Sequence, residues 1–124
     1  MRLLLDTHIL LWWLSSSPRL EKILRAAITE ASSVYVSAAS AWELTMKSVA
    51  GKLEFGGDLE EHLALNNFYP LPIKIVHAVL AAKLPRHHTD PFDRMLVAQA
   101  SLESLTLVTA DSELAVYGVP ILRA

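Results

Sequence analysis

The chain has 124 residues, of which 52% are hydrophobic and 19% are charged, and its formal net charge is −2. This size and composition predict one compact domain spanning residues 1–124 with a single core. The acidic balance argues against a general attraction to nucleic acids or anionic membranes, so any nucleic-acid binding must be local. The sequence has no cysteine, which excludes disulfides and thiolate metal sites and fits a reducing cytoplasm.

The first residues combine a basic residue with a run of leucines, a pattern that secretion signals also show. Asp6 and His8 interrupt this run. The uninterrupted apolar segment from Ile9 to Leu14 is far shorter than the ~20 residues that a membrane-spanning helix requires. We therefore expect a soluble, cytoplasmic protein that does not associate with membranes.

Short aliphatic and β-branched runs at residues 2–5, 33–37, 105–109 and 118–122 predict strands. Helical patterns lie between them: "RLEKILRAAITEA" beginning at Ser17-Pro18, "AASAWELTMKSVAGK" ending at Gly51, "DLEEHLALNNF", "IKIVHAVLAAKL" stopped by Pro85, "DPFDRMLVAQASLES" with Pro91 at its start, and "DSELAVYG" ended by Gly118. Strands that alternate with helices predict right-handed crossovers. The expected fold is α/β, a three-layer α/β/α sandwich with a mostly parallel central sheet.

Four acidic side chains are expected near one edge of this sheet, because ligands of open α/β sheets bind beyond the carboxyl ends of the strands. Asp6 directly follows "RLLL", and Asp111 follows "LTLVT". Glu43 lies one to two turns into the helix that leaves "SVYVS". Asp93 lies in the first turn of "DPFDRMLVAQA". These acids are the candidate functional residues.

Each acid also has a purely structural interpretation. Asp6 and Asp111 could cap the helices that follow them. Asp93 could belong to a capping arrangement. Glu43 could pair with Lys47 at the i, i+4 spacing, which contributes only a few tenths of a kcal/mol.

The joint pattern favours a cation. Four carboxylates near one sheet edge would repel one another and have raised pKa values unless a cation offset their charge. Oxygen ligands without cysteine suit Mg²⁺ or Mn²⁺ better than zinc. Bound Mg²⁺ keeps waters and recruits phosphate oxygens, so the cluster suggests phosphoryl transfer or phosphodiester hydrolysis.

Four segments in order resemble the PIN-domain ribonucleases, and among them the VapC-type toxins of bacterial toxin–antitoxin pairs. They are "LLLDTHILLWWL", "VSAASAWELTMKSVAGKL", "LPRHHTDPFDRMLVAQA" and "LTLVTAD", with "YGV" near the end. The likeness covers nearly the whole chain in order and spacing. It implies that an acidic quartet holds Mg²⁺ or Mn²⁺, consisting of Asp6, Glu43, Asp93 and Asp111, with Asp6 and Asp93 as the closest ligands and Thr7 and Thr109 in supporting roles.

The resemblance also implies an activity and partners. Members of this family are endoribonucleases, often act on tRNA or ribosomal RNA, are usually homodimers and are inhibited by a cognate antitoxin. A metal-activated water would then hydrolyse the RNA phosphodiester bond without a covalent intermediate. The alternative is a non-cleaving PIN-like module that binds RNA or a protein.

Basic residues near the motifs are candidate phosphate contacts: Lys47, Arg86 and Arg94. For Lys47 an ordinary exposed ion pair is equally open. Asp90 precedes a proline and fits a helix cap better than a metal ligand.

The remaining histidines and tryptophans suggest weaker hypotheses. His87 and His88 are adjacent in a loop and lack the i, i+4 spacing that shares one ion, so we expect surface or RNA-contact roles. His8 could touch substrate, whereas His62 and His77 look like ordinary helix residues. Trp12, Trp13 and Trp42 are expected in the core or at an interface.

Two other enzyme classes place a carboxylate after the first strand. The haloacid-dehalogenase-like phosphatases need a second acid two residues later, where this chain has His8. Response-regulator receivers need an acidic pair after the first strand and a lysine after a late one, and "LTLVTAD" offers neither. Both classes fit poorly.

Overall fold

The computed structural model describes residues 1–51 and 57–123. Its strands are β1 (Arg2–Leu5), β2 (Ser33–Ser37), β3 (Tyr69–Leu71), β4 (Thr106–Thr109) and β5 (Ile121–Arg123). Its helices are α1 (Thr7–Leu14), α2 (Lys22–Glu30), α3 (Ala38–Val49), α4 (Leu59–Leu65), α5 (Ile75–Lys83), α6 (Pro91–Glu103) and a 3₁₀ helix (Ser112–Tyr117). Residues 52 and 53, which end the second family-like segment, lie outside the described residues.

The strands form one parallel sheet in the order β3-β2-β1-β4-β5. Side chains of β1 alternate between its faces. Leu3 and Leu5 pack with α1, α2, α3 and α4, whereas Leu4 packs with α6 and the 3₁₀ helix. Helix α5 packs against α6. The predicted three-layer α/β/α sandwich with a parallel sheet is therefore confirmed.

The parallel sheet brings three element junctions to one edge. Strand β1 pairs with β2 on one side and β4 on the other. Helices α1 and α3 and the 3₁₀ helix begin directly beyond the carboxyl ends of these three strands. Their capping residues are Asp6, Ser37 and Asp111, each of which accepts a hydrogen bond from a backbone N–H of the first turn. This edge is where the candidate site lies.

Several predicted boundaries hold for a clear physical reason. Gly51 and Gly118 have φ values of 75° and 78°, the left-handed conformation expected after the helices they end. Asp90 caps α6 and Pro91 occupies its first turn. Within the described residues, no helix is both long and apolar enough to cross a membrane.

Other boundaries differ from the sequence prediction. The edge strand β3 has three residues with Pro70 at its centre, and it is too short and too exposed to be recognised from the sequence. Helix α2 begins at Lys22 instead of Pro18, because the chain turns at residues 15–20 and anchors Leu20 in the core before the helix starts. The last strand begins at Ile121, after the left-handed turn at Gly118.

The core around β1 makes a testable contribution to stability. Replacing the fully buried Leu5 with alanine should lower the free energy of unfolding by about 2–5 kcal/mol, because it removes apolar contacts and leaves a cavity. Leu65→Ala is the matched control, since Leu65 is 81% exposed and should change stability by less than about 0.5 kcal/mol. Urea denaturation measures both. Equal effects of the two substitutions would contradict the assignment of β1 to the core.

Candidate active site

Asp6 is held at the end of the central strand by two hydrogen bonds. Its Oδ1 accepts a hydrogen bond from the Ile9 backbone N–H at 2.8 Å, which caps α1. Its Oδ2 accepts a hydrogen bond from the Thr109 hydroxyl at 2.5 Å. The side chain is nearly buried, and this burial raises the pKa of Asp6, while the Thr109 hydrogen bond opposes the rise. Asp6 is thus a helix cap and a buried carboxylate at the expected edge of the sheet.

Thr109 connects Asp6 to Asp111. The Thr109 hydroxyl donates to Asp6 and accepts a hydrogen bond from the Asp111 backbone N–H at 3.0 Å. One oxygen of Asp111 caps the 3₁₀ helix by accepting a hydrogen bond from the Glu113 backbone N–H at 2.9 Å. The fully buried threonine therefore fixes the relative positions of two acids from different strands.

Glu43 is tied to the same edge through Thr7. Its Oε1 accepts a hydrogen bond from the Thr7 hydroxyl at 2.6 Å, and both side chains are buried. Its Oε2 lies 3.3 Å from the Lys47 ammonium, so the ion pair considered in the sequence analysis is present. The hydrogen bond to Thr7 holds Glu43 of α3 beside the first residue of α1.

Asp93 lies in surroundings that disfavour its ionised form. Burial, together with the neighbouring charges of Asp90, Asp6 and Glu43, raises the pKa of Asp93 to about 7, although His88 opposes the rise. The repulsion expected from the sequence is therefore present. Asp6, Asp93 and Asp111 line one cleft, which we call the acidic cleft.

His88 takes part in the site in a way that the sequence did not indicate. Its Nδ1 accepts a hydrogen bond from the Asp90 backbone N–H at 3.2 Å, which leaves Nε2 as the donor. Nε2 lies 2.9 Å from Asp111 Oδ2 and 3.6 Å from Asp93 Oδ2. The imidazole therefore bridges two acids. Neighbouring His87 instead packs its ring against Tyr117.

Arg94, a candidate phosphate contact from the sequence, has several hydrogen-bond partners in the folded chain. Its guanidinium donates hydrogen bonds of 2.8–3.1 Å to the carbonyl oxygens of Ala81, Leu84, Pro85 and His88. These carbonyls belong to the end of α5 and the loop before α6. The donors of Arg94 thus hold the loop that carries His88, and a phosphate would have to compete with these carbonyls for them.

The other sequence candidates have distinct surroundings. Arg86 is exposed and lines a separate cleft next to His88 and Arg94. Trp13 donates a hydrogen bond to Asn66 Oδ1 at 2.9 Å and belongs to the core, as expected. Trp42 is 62% exposed. His77, also expected to be structural, is fully buried and lies 2.9 Å from Glu103.

The donor set of this edge fits a hard divalent cation. Its ligands are carboxylate oxygens, which Mg²⁺ and Mn²⁺ prefer, and their mutual repulsion would be relieved by a positive charge. Among the described residues, one group of three has potential ligand atoms that all lie within 4.8 Å of one another. It consists of His88, Asp111 and Glu113. This group shares Asp111 with the expected quartet and adds His88 and Glu113, which the sequence analysis did not include.

A comparison with known protein families identifies the family of this chain. The PIN domain matches residues 3–120. The chain belongs to the PIN domain family. The match covers the strands and helices that carry all four members of the expected quartet.

Solved structures share the fold of this PIN domain. VapBC2 from Rickettsia felis, bound to a DNA fragment from its promoter, matches with a TM-score of 0.72 and 12% identity over 99% of this chain and 98% of that chain. FitAcB from Neisseria gonorrhoeae matches with a TM-score of 0.72 and 23% identity, over 98% of this chain and 96% of that chain. A toxin–antitoxin complex from Klebsiella pneumoniae matches with a TM-score of 0.67 and 22% identity, over 96% of this chain and 94% of that chain. No curated protein matches the sequence.

The role of Arg94 in this PIN domain can be tested without changing its charge. Arg94→Lys should lower the free energy of unfolding by about 2 kcal/mol or more, because an ammonium cannot serve the carbonyls that the planar guanidinium reaches. Arg86→Lys, at an exposed position in the same region, should leave stability within about 0.5 kcal/mol of wild type. Chemical denaturation gives both values. A wild-type stability for Arg94→Lys would contradict the structural role.

The raised pKa of Asp93 predicts a pH dependence of stability. Asp93 keeps its proton up to about pH 7 in the folded chain but loses it near its model-peptide value of 3.8 when unfolded. Without divalent metal, the stability that depends on this group is therefore present at low pH and is lost as the pH rises from about 4 through about 7.

Asp93→Asn should remove this loss. At pH 8 the metal-free variant should be more stable than wild type by on the order of a few kcal/mol, with no difference near pH 4. Thermal melting across this range measures the effect. Asp58→Asn, which replaces a carboxylate near the start of another helix and outside the acidic cleft, is the control. A variant that is less stable than wild type at every pH would contradict the prediction.

Proposed function

We propose that this PIN domain is a metal-dependent endoribonuclease that hydrolyses RNA phosphodiester bonds. The observation that carries the proposal is the meeting of acids from separate elements at the carboxyl edge of the sheet. Asp6, Asp93 and Asp111 line one cleft, and the charge of Glu43 contributes to the raised pKa of Asp93. A like-charge cluster of this kind is costly in an apoprotein and supports a cation as its counterpart.

In the proposed site, the carboxylates of Asp6 and Asp93 are the closest ligands of Mg²⁺ or Mn²⁺, with Asp111 and Glu43 completing the acidic surroundings. When bound, such an ion supplies a water of lowered pKa and offsets the charge of the phosphate. Thr109 keeps an Asp6 oxygen oriented, and Thr7 does the same for Glu43.

Proton loss from Asp93 is part of the proposed chemistry. A carboxylate must be ionised to ligate the cation, and the pKa of Asp93 is about 7 in the metal-free protein. Metal affinity should therefore increase as the pH rises through neutrality. His88 keeps Asp111 oriented through its Nε2–H, as hydrogen bonds to the ligands of metal sites commonly do.

We further propose that the protein is the toxin of a toxin–antitoxin pair and that a cognate antitoxin binds it. The support is the likeness over nearly the whole chain to VapBC2, FitAcB and a complex described as toxin–antitoxin. A cytoplasmic location accompanies this proposal and stays a prediction.

A homodimer is part of the same proposal and has support on the surface. Trp42, Met46 and Val49 of α3 are 62%, 46% and 84% exposed and follow the spacing of one helix face. Ile75 and Val76 of α5 are also exposed, at 81% and 58%. Several exposed apolar side chains of this kind favour a surface that is buried against another protein chain over one that faces solvent.

The proposed phosphate contacts differ in their surroundings. Arg86 is exposed and remains a candidate. Lys47 lies against Glu43, so an RNA phosphate would have to compete with that ion pair. The alternative function, a module that binds RNA or protein without cleavage, is less favoured because all four carboxylates are present.

Cleavage of a mixed tRNA substrate with Mg²⁺ or Mn²⁺, compared with EDTA, tests the proposal. Wild type should give discrete metal-dependent fragments, and Asp93→Asn should be at least about 100-fold slower because it weakens a carboxylate ligand. Asp58→Asn should cleave like wild type. In parallel, Mn²⁺ should raise the melting temperature of wild type more than that of Asp93→Asn.

Two outcomes would contradict this proposal. Wild-type rates for Asp93→Asn would remove Asp93 from the site. RNA binding without cleavage under either metal would favour the binding module.

A further inference from the structure

The acidic cleft is lined by more than carboxylates. Besides Asp6, Asp93 and Asp111, its lining includes His8, Trp12, Arg19 and Ala110. In the described part of the chain, Arg19 is the single lysine or arginine that lines this cleft. The cleft therefore combines anionic side chains with two aromatic rings and a guanidinium.

Helix α1 presents the two rings together. His8 and Trp12 are four residues apart, which places them on one side of the helix. Their ring centroids lie 6.3 Å apart with the planes tilted by 51°. His8 is exposed and Trp12 is half-buried, and the Trp12 indole makes no hydrogen bond to the described residues.

The neighbouring tryptophan is used differently. Trp13 packs against Phe68 and donates its indole hydrogen bond to Asn66. Both tryptophans pack against the core, but only Trp12 also lines the acidic cleft. No hydrogen bond of the Trp12 indole to the described residues explains the position of this side chain in the cleft.

The turn after α1 places Arg19 next to Trp12. The Ser17 backbone N–H donates to the Trp12 carbonyl at 2.9 Å. Arg25 donates to the carbonyls of Trp12 and Ser17 at 3.3 and 2.9 Å, which fastens the turn to the last residues of α1. Leu20 anchors the other end in the core. Arg19 itself is exposed, and its guanidinium makes no hydrogen bond or ion pair within the described residues.

We propose that His8, Trp12 and Arg19 form a nucleotide-binding subsite for single-stranded RNA beside the acidic cluster. A base flanking the cleaved bond stacks on Trp12 and His8, and Arg19 binds the adjacent phosphate. This inference rests on the proposed function, because the acidic cluster would otherwise repel the phosphate.

The chemistry of the three side chains favours this ligand. Single-stranded RNA is bound by aromatic side chains that stack on unpaired bases and by cations that contact the backbone. The planar guanidinium of Arg19 can bind a phosphate with two parallel hydrogen bonds. A base and its phosphate are close enough in one nucleotide to meet both groups.

RNA binding by single variants tests the subsite. Binding is measured by fluorescence anisotropy with a labelled random-sequence RNA of about twelve nucleotides, which is within the range of site sizes common for single strands. The Asp93→Asn background keeps the RNA intact, and excess Mg²⁺ is present to offset the charge of the remaining carboxylates. The variants are Trp12→Leu and Arg19→Gln, with Trp12→Phe and Arg19→Lys as conservative partners. Arg2→Gln, which removes the same charge at the amino end of β1 and the opposite edge of the sheet, is the control.

The two variants should fail in different ways. Trp12→Leu should weaken binding by about 5-fold or more through lost stacking and should leave the salt dependence unchanged. Arg19→Gln should also weaken binding and should reduce the slope of log K against log salt by about 0.7, the value for one phosphate contact to a single strand. Trp12→Phe and Arg19→Lys should recover most of the affinity, and Arg2→Gln should match its background.

The outcomes separate this inference from the function on which it rests. If Trp12→Leu and Arg19→Gln bind as their background does while wild type cleaves RNA with metal, the subsite is wrong and the nuclease stands. If the wild-type protein neither binds nor cleaves RNA, both proposals are overturned. A loss of affinity that Trp12→Phe does not recover would assign Trp12 to core packing and would also overturn the stacking role.

Discussion

A carboxylate buried at the end of the central strand is the constraint that organises much of this PIN domain. Asp6 is 4% exposed, and a charge in that position needs compensation from its neighbours. The Ile9 backbone N–H and the Thr109 hydroxyl supply it, so the start of α1 and the end of β4 are both fixed relative to β1. The geometry of the other acids then follows from the same edge of the sheet.

The acidic cleft places like charges close together, which costs stability in the metal-free chain. Burial and three neighbouring acids raise the pKa of Asp93, and His88 acts in the opposite direction. A protein selected only for stability would separate such charges. In this chain the carboxylates stay together at one edge of the sheet, and buried threonines donate hydrogen bonds to two of them. Such an arrangement is typical of functional sites.

The sequence was sufficient for the fold class and for placing Asp6 and Asp111 beyond the carboxyl ends of central strands, because both depend on local patterns. Aliphatic runs that end at Asp6 and Asp111 identify central strands and also identify which end carries the acids. The sequence was not sufficient for β3, where Pro70 interrupts an edge strand of three residues, or for the turn that delays α2 until Lys22. Those features depend on tertiary packing that no local pattern encodes.

Side-chain roles set by distant partners were equally hidden. The position of Arg94 near the acids makes it a candidate phosphate contact, but the sequence does not indicate its hydrogen bonds to carbonyls of Ala81 to His88, a segment whose path only the folded chain reveals. His88 was judged by its loop position, and its bridge to Asp111 depends on the approach of β4. Arg19 carried no sequence signal, since its place in the cleft results from the turn held by Arg25.

If the proposed function holds, an acidic cleft in a chain of net charge −2 couples the binding of metal to the binding of RNA. Without a cation, the carboxylates would repel the phosphate of the proposed RNA substrate, and Arg19 would offset only one of their charges. A cation that removes this repulsion raises RNA affinity, and by linkage RNA raises cation affinity by the same factor. Protons compete at Asp93, whose pKa is about 7, so a fall in pH weakens the coupled pair. Recognition and catalysis in such a site are therefore controlled by one electrostatic balance.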